Sequence, residues 1–175
     1  MELQKIAEEL IANQKKKPLA YDVFSMAKSF NEAKQINEKN GLIPPAIMNL
    51  AFSVELLLKS FILSERLDIY SSNDFESPKQ ANKVYGGHRI YELFDKINSN
   101  NKQKILDVLG SKIGKSLDSS SFNMLLVENN CEDPFVDWRY IFENEEVITI
   151  NYDFLSTFCD ALGDLLAKEL TEKSM

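Results

Sequence analysis

The sequence predicts an all-α fold, a bundle of about five main helices with shorter ones between them. Three observations lead there. The long segments repeat their apolar residues at steps of three and four, which keeps those side chains on one face of a helix. The one β-prone run, Val147-Ile148-Thr149-Ile150, is too short and isolated to build a sheet and reads as an extended connector. With 175 residues, 44% hydrophobic content, 11 Phe and 6 Tyr, the chain has enough apolar material for one packed core, so a single domain over 1–175 is expected.

The first expected helix covers 2–14, with Leu3, Ile6, Ala7, Leu10 and Ile11 on one stripe. Lys15 to Lys17 suit the negative end of its dipole, and Pro18 ends it. A second helix over 18–39 turns Leu19, Val23, Met26, Ala27, Phe30, Ala33 and Ile36 inward and closes at Asn40-Gly41. Pro44-Pro45 fits the entry to the next helix, because a first-turn proline lacks only an N–H that would go unused. That helix, centred on 48–67, is the core of the chain, with Leu50, Ala51, Val54, Leu57, Leu58, Phe61 and Ile62 on one face. Glu55 and Lys59 stand one turn apart on its flank and predict an exposed ion pair.

The stretch 70–87 is polar, holds Pro78, Gly86 and Gly87, and reads as the longest loop. His88 opens a short helix to about 98. Another follows over 101–117, weakened at Gly110 and Gly114. Asp118 and the serines after it offer a cap for a short helix through Phe122, Leu125 and Leu126. Residues 135–142 look helical, and Asn151 or Asp153 caps the final helix. Its stripe of Leu155, Phe158, Cys159, Leu162, Leu165, Leu166 and Leu170 makes Cys159 a small core residue.

Charge narrows the function classes. The net charge of −7 argues against whole-surface attraction to nucleic acid, which depends on neutralising phosphates. The spread is uneven. Over 79–115 eight basic residues face three acidic ones, whereas over 128–153 eight acids face Arg139 alone. These poles read as two solvated faces, or as a basic surface for an anionic ligand beside an acidic one for a basic partner. Cys131 and Cys159, without CxxC spacing, read as free thiols, so neither a disulfide nor a metal site is expected. No apolar run of about 18 residues and no charged-then-apolar leader are seen, so a cytoplasmic protein with no membrane contact is expected.

Three pieces carry a resemblance. Ala51, Glu55 and Lys59 form Ala-x-x-x-Glu-x-x-x-Lys on the core helix. Gly87, His88, Leu93 and Phe94 form Gly-His-x-x-x-x-Leu-Phe after the polar loop. Trp138, Arg139, Tyr140 and Glu143 form Trp-Arg-Tyr-x-x-Glu before the last long helix. Together, over roughly 19–170, they resemble the HEPN superfamily of small all-α proteins. The resemblance implies an up-and-down antiparallel bundle, homodimerisation, and a link to RNA cleavage or nucleotide transfer in bacterial toxin–antitoxin and defence systems. Nucleolytic members pair an Arg with a His four to six residues later, the imidazole moving a proton of the 2′-hydroxyl and the guanidinium holding phosphate. Here no His follows Arg139. The expected function is therefore a non-catalytic or degenerate HEPN-like module that binds RNA, a nucleotide or a partner protein.

Two other classes stay open. One is a metal-independent ribonuclease using Arg139 with His88 brought in from another helix or subunit. The other is a structural adaptor whose acidic 128–153 region docks a basic protein. His88, the only histidine, either caps or packs at a helix start, or binds an anion there with Arg89, Lys79 and Lys83. Arg139 either pairs with Glu143 or Glu55 or stands ready for phosphate, with Trp138 beside it. Gly86-Gly87 lacks P-loop spacing, so no cofactor is expected.

Overall fold

A computed structural model describes residues 19–65, 86–139 and 149–172. Among them run seven helices and no strand: α1 (Leu19–Lys39), α2 (Ile43–Ser64), α3 (Ile90–Asp95), α4 (Ser99–Ile113), α5 (Ser119–Glu128), α6 (Pro134–Arg139) and α7 (Tyr152–Glu172). This is an all-α helical bundle. The helix expected over 2–14, most of the 70–87 loop, and Lys79, Lys83 and Glu143 lie outside the described residues, as do the side chains of Trp138 and Arg139.

Helix α2 is the hub, packing against α1, α3, α6 and α7. Leu50, Leu58, Phe61 and Ile62 are fully buried along it. Its length and composition would let it cross a bilayer, against the expectation from sequence that no such run exists, yet 78% of that stretch is buried inside the bundle. Enclosure also corrects the expected exposed ion pair. Neighbours on so many sides leave α2 little open flank, and Glu55 is only 2% exposed.

Local chemistry sets the helix ends. Gly41 takes φ +70° after α1, a conformation costly for residues with a Cβ, and Leu42 N–H bonds back to Asn37. Asn98 caps α4 through Asn101 N–H, while the Glu65 carboxylate at the end of α2 takes Asn98 N–H and the Asn101 amide. Asp118 and Ser121 form a reciprocal capping box on α5. Asn151 accepts the Phe154 N–H at 3.0 Å, so it, not Asp153, caps α7. Rings of Phe94, Phe122 and Phe158 tie α3, α5 and α7 together at 4.7 and 5.1 Å.

Three expectations need correction. Met26 and Ile36 are 51% and 60% exposed, because α1 seats Ala20, Ala27 and Lys34, seven apart, against the bundle. The helix after the glycines begins at Ile90, not His88. Gly110 does not weaken α4. It lies inside the helix, where its carbonyl accepts the Lys115 N–H of the closing turn, and Gly114 ends the helix at φ +70°.

Candidate functional site

A glutamate in the middle of an apolar helix is costly unless its charge is compensated. Glu55 has two partners. Lys59 Nζ lies 2.6 Å from Oε1, and His88 Nδ1 lies 3.0 Å from Oε2. The lysine is one turn along α2, whereas the histidine comes from the segment before α3 and joins an element 33 residues away. Burial grades outward through this cluster. Side-chain exposure is 2% for Glu55, 13% for Lys59 and 50% for His88. A buried carboxylate thus holds a half-exposed imidazole through Nδ1. When the ring is neutral, an Nδ1–H donated to Glu55 leaves Nε2 as the basic nitrogen.

Helix α6 supplies the second wall. It packs against α2, and its Phe135 ring stacks on the His88 ring at 5.7 Å and 28°. The other side of the column is Phe52 of α2, 4.9 Å from Phe135 at 24°, followed by Phe30 of α1 edge-on at 4.5 Å. Arg139 sits on the same helix, one turn beyond Phe135. The sequence-predicted His88 and Glu55 are therefore brought together, and the helix that carries Trp138 and Arg139 is packed beside them.

Acidic groups crowd this rim. Asp133 precedes α6, its carbonyl accepting the Asp137 N–H. Its Oδ1 is buried without a hydrogen-bond partner among the described residues. Burial first, then the charge of Asp137, push the Asp133 carboxyl above its ordinary value, against the opposing pull of His88 and Arg89. Burial and Glu132 do the same to Asp137, again opposed by Arg89. Arg89 is 64% exposed and 3.5 Å from Glu92.

The anion site expected at the helix start is corrected by this geometry. Ile90 N–H donates to the Glu132 carbonyl at 2.9 Å, so the first donor of that short helix is taken. Nor do the lysines of the basic stretch form an open cationic face. Lys102 pairs with Asp95, Lys104 with Glu169, Lys112 with Asp164, and Lys96 donates to the Gly86 carbonyl. The expectation that Glu55 might bind Arg139 is replaced by its pairing with Lys59 and His88. Among the described residues no group of three His, Cys, Asp or Glu is placed to hold a metal ion. Both cysteines are free and buried.

Phe52, Phe135 and Asp133 were not singled out by sequence reasoning. A signal for the central contact did exist, because an acid flanked by Val54 and Leu56 on a core helix must find a partner, and the chain has one histidine. Compared with family models, curated proteins and solved structures, the chain matches none, so the resemblance to the HEPN superfamily rests on its own residues.

Proposed function

We propose that the chain is an HEPN-like module of a bacterial defence or stress system whose ligand is RNA, met at the His88 face. One observation carries the reading: Glu55 is buried and fixes the Nδ1 side of an imidazole whose other edge faces solvent. Fixing a half-exposed ring lowers the entropy lost when it engages a ligand. The Arg139 helix beside it supplies the position from which the resemblance would bring a phosphate-binding guanidinium.

A second reading, RNA cleavage, is favoured by the same contact. The neutralised lysines and the Asp133–Asp137 rim offer little attraction for phosphate, whereas a carboxylate-held imidazole suits proton transfer. In that reaction His88 Nε2 takes the 2′-hydroxyl proton as the 2′-oxygen attacks phosphorus. The bond to the 5′-oxygen breaks, and that oxygen takes a proton from solvent.

Incubation of mixed RNA at low salt, with Arg139→Ala and His88→Ala variants of matching thermal stability beside the parent, tests both. Retention of RNA without cleavage by the parent, lost in His88→Ala, is the expected result for a binding module. Cleavage lost in both variants assigns the ribonuclease reading. Neither retention nor cleavage by the parent overturns the RNA assignment and favours the adaptor.

A further inference from the structure

The rings beside His88 form a directed column. Phe52, Phe135 and His88 lie nearly parallel, 24° and 28° apart, at 4.9 and 5.7 Å spacing. The two phenylalanines are partly buried, while His88 at the end is half exposed. A stack that runs from the protein edge into solvent leaves its last ring face for another planar group. Nucleobases bind aromatic faces in this manner with little regard to sequence.

Electrostatics decides which nucleic acid fits. Strong duplex or backbone binding needs unpaired lysines and arginines along the phosphates. The lysines of α4 are held by carboxylates, and Asp133 and Asp137 stand beside Arg89. Phosphate attraction is therefore weak here, and stacking has to supply the affinity. A duplex hides its base faces, whereas a single strand can present one.

Resting on the RNA reading above, we infer that the column Phe52, Phe135 and His88 is a stacking platform for one unpaired nucleobase, which makes the site specific for single-stranded RNA. Glu55 and Phe135 are positioning residues in this scheme. They hold the imidazole plane at the angle on which a base can rest.

The probe is an uncleavable 2′-O-methyl RNA oligonucleotide carrying 2-aminopurine, whose fluorescence is quenched when the base stacks, tested alone and as a duplex with its complement. Quenching and binding of the single strand, with at least tenfold weaker binding of the duplex, is expected. His88→Ala then weakens the single strand about tenfold and removes the quench, while His88→Phe, which keeps a ring but no proton carrier, restores both. A measurement on the parent alone keeps the test sound if a variant is unstable. Binding without quenching, or equal affinity for strand and duplex, overturns the platform while leaving the RNA reading standing. No binding at all overturns both.

Discussion

Glu55 illustrates how one side chain organises this region. Its charge lies among core residues, and removing it leaves Lys59, itself only 13% exposed, without its carboxylate. Glu55→Ala is expected to lower stability by about 3 kcal/mol, measured by urea denaturation, in line with breaking one side of a buried pair. A loss under about 1 kcal/mol would show that the ion pair matters little to the fold. Asp133 works in the opposite direction. Its folded-state carboxyl sits above the ordinary value, so the folded protein holds that proton more tightly than the unfolded chain. The ionised form therefore costs stability at neutral pH, and the cost disappears below about pH 4, the unfolded value. Asp133→Asn should raise the melting temperature by about 2 °C at pH 7, the gain shrinking toward pH 4. A gain that grows as the pH falls would contradict the assignment. At this scale sequence reasoning placed Glu55 and His88 among the candidates but mispartnered them. The i,i+4 rule sees only neighbours on one helix, and the His88 contact spans 33 residues.

Two glycines inside long helices separate local propensity from packing. Gly163 of α7 has open space where a Cβ would stand, so Gly163→Ala should stabilise the protein by about 0.5–1 kcal/mol. At Gly110 of α4 a Cβ would collide with the Lys115 carbonyl, a backbone atom of the closing turn that cannot swing aside. Gly110→Ala should therefore destabilise by about 2–3 kcal/mol despite alanine's better helix propensity. Thermal unfolding of the two variants checks this, and shifts of the same sign would contradict it. The sequence read Gly110 as a weak point because propensity treats all helical glycines alike. Elements were otherwise legible where caps and periodicity agreed, as at Asp118 and Asn151. They were less so where a partly apolar face such as that of α1 could be seated at more than one angle, leaving Met26 and Ile36 outside.

Across the whole molecule, the bundle is organised by enclosure of α2, and the thiols report on it. Burial pushes Cys131 up to about 12 and Cys159 up to about 11. Native protein should resist iodoacetamide at pH 8 and label rapidly in urea, with the midpoint of labelling matching that of unfolding by circular dichroism. Fast labelling of the native chain would mean that this core opens locally. The all-α class was legible in the sequence because helical periodicity extends over most of the chain. The ion pairs that neutralise the basic stretch were not, because Lys104–Glu169 and Lys112–Asp164 join residues 65 and 52 positions apart.

The single histidine makes the central claim directly measurable, since its two ring nitrogens need no assignment among competitors. Nitrogen-15 NMR of the imidazole, recorded with and without single-stranded RNA, reads the tautomer and the contact together. The predicted result is a neutral ring protonated at Nδ1, lost in Glu55→Gln, with an Nε2 resonance that moves when RNA is added. A ring protonated at Nε2 and indifferent to RNA would contradict both the Glu55-held imidazole and its proposed role.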